Sequence, residues 1–170
     1  ELLRFGIRAD DSGGTPLART PPAELLRLML ENVFKPGNPV PTAALLKHPF
    51  LRLGMDRRKV RHTAEIVELV ALRGGFGRPD VANLWPSFES RLKALGTSGR
   101  KPAWYPTIDL VAVADARAVL DGLSRALKPL VACRYAEAKP LAEMARITVA
   151  ALEGLARDEA AYLASGGFQG

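Results

Sequence analysis

The sequence predicts an all-α fold, an irregular multi-helix domain, and three observations support this prediction. Apolar residues recur at helical spacing in six separate segments of the chain. Clusters of proline and glycine, which end helices, separate these segments. No stretch alternates apolar and polar residues over enough positions to build a sheet. With 48% hydrophobic and 25% charged residues, the 170-residue chain has the composition of a folded globular domain.

We divide the chain into a leading segment with a structured loop (1–20), a helical domain (21–165) and a cut or frayed end (166–170). Residues 2–7 have the apolar content of a short strand or helix end, and the residues after them are dense in turn formers. The chain opens on Glu1 instead of an initiator Met and ends on a glycine-rich run. We therefore expect a fragment of a larger protein.

The first two helices are predicted at 21–34 and 41–47. Thr20 precedes two prolines, so its hydroxyl is a candidate N-cap and the prolines occupy the first turn, where the missing N–H costs nothing. The proline- and glycine-rich segment 35–39 ends the first helix. The second helix ends before Pro49, because the residue preceding a proline is disfavoured in the α region.

The third helix is predicted at 57–73, with Asp56 as its N-cap and Gly74-Gly75 as a left-handed exit. Its first turn, residues 57–59, carries three cations, the wrong sign for the positive end of a helix dipole. Such a mismatch costs about 0.3–1 kcal/mol per exposed charge, and an anionic partner would relieve that cost. The predicted buried stripe consists of Val60, Ala64, Val67 and Ala71.

The remaining helices are predicted at 86–95, 112–128 and 140–157. Gly96 closes the first of them, Pro129 ends the second, and a frayed turn through residues 160–162 follows the third. Residues 104–106 (Trp-Tyr-Pro) are predicted to anchor the intervening linker on the core. Aromatic residues beside prolines, here and at Trp85, are more typical of core packing than of a surface that stacks nucleobases.

The positive charge of the chain is concentrated in one short segment. The net charge is +6, and residues 1–100 hold 16 Lys and Arg against 10 Asp and Glu, whereas residues 101–170 hold 8 of each. Residues 47–62 alone contribute +5. Such a run is either a solvated helix face or a site that neutralises phosphates. The candidate DNA-backbone contacts are Lys47, Arg57, Arg58, Lys59 and Arg61, with Arg52 and His48 as weaker candidates.

Several classes of protein and site are excluded by what the sequence lacks. No apolar run reaches the roughly 18 residues of a membrane span, and no secretion leader is present, so we expect a cytoplasmic protein with no membrane partner. The single Cys133 has no cysteine to pair with and is expected to be a small buried residue. No glycine-rich phosphate loop occurs, and His48 and His62 have no carboxylate at metal-binding spacing. We expect no catalytic residue, metal site or cofactor in this fragment.

One catalytic alternative is a metal-dependent nuclease. Glu137 and Lys139, with Asp109, Asp115 or Asp121 upstream, contain the acidic pair and lysine that such enzymes use to hold Mg²⁺ and activate water. In that chemistry the Glu and Lys extend from one β-strand. Here they lie between two helical patterns, which argues against the nuclease interpretation.

Three motifs resemble a stretch inside the AddB subunit of bacterial AddAB-type helicase-nucleases. They are GIRADDSGGTPLARTP at 6–21, LLKHPF at 45–50 and the pair Leu53-Gly54, with weaker support at 68–74 and 88–92. The specific part of the resemblance covers roughly residues 1–95. Beyond it, only helical character and the order of the helices agree.

The resemblance implies a helical insertion in the second motor-like domain of a superfamily-1 helicase-like subunit. Proteins of the AddB type partner the motor subunit AddA in the recombinational repair of DNA double-strand breaks. They also carry a nuclease and an iron–sulfur cluster, but the family's nuclease carboxylates and cluster cysteines match no position here. We therefore expect a non-catalytic accessory domain that guides DNA by its backbone. The alternative is a protein–protein interaction module that docks on its own parent chain or on AddA without touching DNA.

Overall fold

The computed structural model describes residues 16–73 and 78–158, and within these ranges the chain is helical with no strand. This confirms the all-α prediction for the described part. The predictions for residues 2–16 fall, apart from Pro16, outside the described residues, as do Gly74-Gly75 and the turn at 160–162. The α-helices are α1 (Pro21–Phe34), α2 (Pro39–Lys47), α3 (Arg57–Val67), α4 (Leu84–Thr97), α5 (Leu110–Ala132) and α6 (Leu141–Ala156).

The connection between α1 and α2 is built from the turn residues predicted to end α1. Gly37 adopts a φ of 110°, which favours glycine, and its N–H donates to the Pro79 carbonyl at 2.8 Å. Asn38 caps α2, accepting a hydrogen bond from the Val40 N–H at 3.0 Å, so α2 begins two residues earlier than predicted. The predicted cap of α1 is wrong in its chemistry, because the Thr20 hydroxyl donates backwards to the Leu17 carbonyl.

The third helix begins as predicted and then changes its winding. Asp56 is the N-cap of α3 and accepts hydrogen bonds from the Arg58 and Lys59 N–H groups at 2.8 and 3.2 Å. After Val67 the chain continues as a π-helical turn, Glu68–Leu72, which the Arg73 N–H closes by donating to the Glu68 carbonyl. The single helix predicted at 57–73 is therefore two helical segments in series.

Two predicted helix ends on α4 and α5 are wrong. Gly96 lies inside α4, where the Tyr105 hydroxyl approaches to 2.9 Å of the position a Cβ would take. The long helix α5 passes through Pro129 and ends only at Ala132. A proline in a helix interior costs about 3 kcal/mol. Leu127 and Leu130, on either side of Pro129, are both fully buried, and burying each contributes about 1.5–3 kcal/mol, enough to offset that cost.

Helix α6, the last one among the described residues, packs on α5, and the loop between α2 and α3 caps its C-terminus. The Arg52 and Leu53 N–H groups donate to the Leu155 carbonyl at 2.9 and 3.1 Å. The Gly54 N–H donates to the Arg157 carbonyl at 2.7 Å. Carbonyls at the end of a helix lack partners within the helix, so this loop satisfies groups that α6 cannot satisfy itself.

One contiguous core runs through the helices. Phe88 is fully buried and stacks on Trp85, while Trp104 is partly buried against the core, so the prediction of core packing for these aromatics is confirmed. Cys133 departs from its predicted burial: it is partly exposed at the end of α5, and its thiol donates to the Pro129 carbonyl. The central core residues are Leu25, Met29, Val33, Leu45, Leu46, Val60, Ala64, Val67, Phe88, Val119, Leu123, Leu127 and Leu155.

Arg134, just after α5, joins three parts of the chain. Its guanidinium donates to both carboxylate oxygens of Asp80 at 2.7 and 2.8 Å and to the Asn32 carbonyl of α1 at 3.4 Å. The side chain of Arg134 is only 8% exposed. The hydrogen bonds from Arg134 lower the pKa of Asp80, although burial opposes this.

None of the helices among the described residues combines the length and the hydrophobicity that a membrane-spanning helix requires.

Candidate nucleic-acid interface

The predicted basic residues meet where α2 ends and α3 begins. Lys47 is the last residue of α2, while Arg57 and Arg61 lie one turn apart at the start of α3. All three line a groove of about 430 Å³, together with His48 and Glu65. Helix α2 ends before Pro49, and the turn that follows brings these side chains to the same groove.

Two of the residues predicted to bind phosphate form ion pairs with carboxylates. Lys47 forms an ion pair with Glu68 on the π-helical turn, and Glu68 also pairs with Arg73 at 2.9 Å. The hydrogen bond from Lys47 is the main cause of the lowered pKa of Glu68. Lys59 forms an ion pair with Asp115 of α5 at 2.6 Å. Both lysines therefore fasten α3 and its extension to neighbouring helices.

Three arginines on α3 remain available to an anion. Arg57 and Arg58 are exposed, and within the described residues neither has a carboxylate oxygen inside 4 Å. Arg61 lies 3.9 Å from Glu65, with both side chains mostly exposed, and a pair of this kind contributes little. We call Arg57, Arg58 and Arg61 the α3 arginine cluster.

The two weaker candidates are held within the fold. His48 is the C-cap residue of α2 and is 6% exposed; its Nδ1 accepts a hydrogen bond from the Phe50 N–H at 3.2 Å. Burial lowers the pKa of His48, against smaller opposing contributions from Glu24 and the Pro21 carbonyl, and this favours the neutral ring. Arg52 is half-buried, with its backbone N–H bound to the end of α6.

The net positive charge of the site is smaller than the sequence suggests. Residues 47–62 carry a net +5, but Glu65, Glu68 and Asp115 contact three of their cations, and including these carboxylates lowers the net charge to +2. Asp56, which is already included in the net +5, lies at the first turn of α3 and reduces the positive field there. Its pKa is lowered chiefly by the Lys59 N–H and next by the Arg58 N–H, so it stays ionised beside the cluster.

The acidic residues of the nuclease alternative have structural partners. Asp109 caps α5 by accepting from the Ala112 N–H at 2.7 Å, and Asp121 lies 3.6 Å from Arg117 one turn away. Lys139 pairs with Glu143 of α6, a contact that raises the pKa of the lysine. In the part of the chain described by the structure, no three His, Cys, Asp or Glu side chains come together in a way that could hold a metal ion.

Comparison with known proteins adds no relative to this picture. No protein-family model matches the chain, and no curated protein or solved structure matches it significantly. The resemblance to AddB-type subunits therefore remains a prediction from the motifs, and any functional inference depends on the residues of this chain.

Proposed function

We propose that this chain is a non-catalytic helical accessory domain that contacts the nucleic-acid backbone through the α3 arginine cluster. The observation that carries the proposal is the presence of three exposed guanidinium groups on the first turns of one helix, two of them without an ion pair among the described residues. Guanidinium groups match the geometry of phosphate oxygens and can bind them in pairs. Contacts of this kind would be non-specific in sequence and strongly dependent on salt.

The wider context that we propose is an AddB-type subunit, acting with an AddA-type motor subunit in the recombinational repair of DNA double-strand breaks. Its support is the resemblance of the motifs and the position in the fold of two of them, at 45–50 and 53–54. LLKHPF at 45–50 forms the end of α2 and the turn after it, and Leu53-Gly54 belongs to the loop that leads into α3. These two motifs thus adjoin the α3 arginine cluster.

A titration of fluorescent DNA tests the contact. Replacing Arg57, Arg58 and Arg61 together by Glu should weaken binding of both duplex and single-stranded DNA at low salt at least tenfold. Since each phosphate contact contributes about 0.9 to the slope of log K against log salt, the magnitude of that slope should fall by about 3. Fluorescence anisotropy at several salt concentrations measures both quantities.

The matched control changes the same amount of charge on another surface. Arg125, Lys128 and Arg146 are exposed on α5 and α6, so replacing them together by Glu alters the net charge equally. The control variant should keep most of its affinity and its salt slope. Equal losses in the two triple variants would show that only the net charge matters, and the α3 arginine cluster would then have no special role.

The second candidate function is a protein–protein interaction module that touches no DNA. It is favoured by large apolar side chains that remain exposed on α5 and α6, namely Leu110, Val111, Leu141 and Val149. Apolar groups at a monomer surface mark interaction sites when they are contiguous. This candidate predicts that the chain binds neither duplex nor single-stranded DNA at low salt, yet binds the AddA-type subunit or the rest of its own parent chain.

A further inference from the structure

A second groove lies between α4 and α5, away from the α3 arginine cluster in sequence and in lining residues. It encloses about 680 Å³ and is lined mainly by apolar groups, with Leu92 and Trp85 on α4 facing Leu110, Val113 and Ala114 on α5. Tyr105 closes one side of it. A largely apolar groove between two helices is the type of groove that receives a helix from another protein.

The most exposed apolar side chain of the groove lies at a capped helix start. Leu110 is 88% exposed although it is the first residue of α5, and Val111 beside it is 67% exposed. Asp109 caps the helix at this point, so the leucine is fixed on an ordered first turn instead of a loose loop. An apolar side chain that is both exposed and positioned in advance is well suited to anchor a partner.

Each aromatic ring that lines the groove has a cation close by, which bears on the kind of ligand that fits. Phe88 stacks on Trp85 with ring centroids 5.7 Å apart, and the Arg117 guanidinium lies 5.3 Å from the centroid of the Trp85 ring. The Lys101 ammonium lies over the Tyr105 ring at 5.0 Å. Nucleobases bind by stacking on open aromatic faces. The cations beside Trp85 and Tyr105 compete with stacking, and the other large apolar lining residues, Leu92, Leu110 and Val113, are aliphatic. This favours apolar side chains of a protein over bases of a single strand.

The charges around the groove define the rest of the ligand. Lys93 and Arg117 line it with only Glu89 as an opposing lining residue, and Lys101 adds a third cation at its edge. Asp121 lies 3.6 Å from Arg117 and offsets part of its charge, so Lys93 and Lys101 carry most of the free positive charge. A ligand that places acidic side chains along these edges gains complementary charge, which would fix its orientation and speed its association.

We propose that the groove between α4 and α5 binds an amphipathic helix of a partner protein, with leucine-like side chains on its apolar face and acidic residues on its flanks. The proposal gives the second candidate function a specific surface and a specific ligand chemistry. It does not depend on the α3 arginine cluster, so failure of DNA binding leaves it unaffected.

Synthetic peptides test the proposal on the full 170-residue chain. The probe is a labelled helical peptide of roughly 20 residues, long enough to be helical in water, with leucines at i, i+3, i+4 and i+7 and glutamates beside them. A second peptide carries lysines in place of the glutamates. The acidic peptide should bind at least tenfold more tightly than the basic one. Changing Lys93 to Glu should reduce or reverse that preference.

The critical variant has a matched control at another helix start. Leu110→Asp removes the anchor and should weaken binding of the acidic peptide at least tenfold, whereas Leu141→Asp should leave it unchanged. Both leucines are the first residue of their helices, and they are 88% and 85% exposed, so neither change should disturb folding, which circular dichroism would verify. Equal binding by the two variants, or equal affinity for the two peptides, overturns the proposal. A loss of oligothymidine binding in Leu110→Asp without a loss of peptide binding also overturns it, in favour of a single strand.

Discussion

Arg134 and the α3 arginine cluster place the same side chain in opposite environments. Arg134 is buried against Asp80 and the end of α1, and its Nε has no hydrogen-bond partner among the described residues. Arg57 and Arg58 stand in solvent on the first turn of α3. A buried guanidinium must keep its carboxylate, because losing it leaves an uncompensated charge inside the protein. An exposed one contributes little to folding.

The difference indicates how the cations of this chain divide between stability and binding. Lys47 and Lys59, which the sequence placed with the phosphate ligands, lie between the two extremes, since each is partly exposed and paired with a carboxylate on another element. Cations that join elements are constrained by the fold. Those that point outward without a partner are available for a ligand, and their substitution should change binding strongly and the free energy of unfolding only slightly.

The largest effect is expected at the buried pair. Arg134→Ala should lower the free energy of unfolding by about 3 kcal/mol, because it strands the Asp80 carboxylate and removes the link to α1. Arg134→Lys should restore only part of this loss, since an ammonium cannot donate to both carboxylate oxygens in the fork geometry of arginine. Chemical denaturation measures both. The control Arg125→Ala, on an exposed part of α5, should change stability by less than about 0.5 kcal/mol.

Acid tests a second buried titratable side chain, the neutral imidazole of His48. Its folded pKa is below the ordinary value of 6.5, so the folded state binds fewer protons than the unfolded chain. The stability that depends on His48 is therefore complete above pH 6.5 and falls as the pH drops from there toward the folded pKa. Each unit of difference between the two pKa values corresponds to about 1.4 kcal/mol.

The measurement is the midpoint of urea unfolding at pH 7.5 and at pH 5.5. His48→Asn retains an acceptor for the Phe50 N–H but cannot titrate, so the drop in midpoint between the two pH values should become smaller. His62→Asn, at an exposed position on α3, should leave the drop as it is in the wild-type chain. A drop that persists unchanged in His48→Asn would mean that other groups cause it.

The smallest effect is expected at the exposed arginines, and its sign is opposite. Arg57→Glu with Arg58→Glu should raise the free energy of unfolding by roughly 0.3–1 kcal/mol per site, because acidic residues favour the positive end of the α3 dipole. The same double variant should bind DNA less well. Thermal unfolding without DNA measures the gain in stability alone. That gain should be smaller at high salt, because salt screens the charges that cause it. A loss of stability would show that these arginines make contacts which help to hold the fold.

Local chemistry made much of the fold predictable. Asp56 as the cap of α3 and the end of α1 before Gly37 follow from residue types whose preferences act over a few positions. The same local preferences wrongly predict that α5 ends at Pro129. The burial of Leu127 and Leu130 in the tertiary structure outweighs the local cost of the proline.

The candidate site was predictable only as a set of charges. The sequence places Arg57, Arg58 and Lys59 side by side, but their partners come from elsewhere in the chain. Asp115 reaches Lys59 from α5, and Glu68 reaches Lys47 because a π-helical turn follows α3. No spacing rule connects residues so far apart. Only the tertiary structure therefore distinguishes the two paired lysines from the three arginines among the five main candidates.

The hydrogen bonds between the loop at 52–54 and the end of α6 also affect the order in which the molecule can be completed. During synthesis α3 and its arginines emerge about a hundred residues before the Leu155 and Arg157 carbonyls that hold the preceding loop. Until then, three backbone N–H groups beside α3 lack their native acceptors. A shortened chain that stops before α6 would thus retain every residue of the α3 arginine cluster but lose the hydrogen bonds that hold the loop before α3. The orientation of the cluster therefore depends on α6, a helix far from it in sequence.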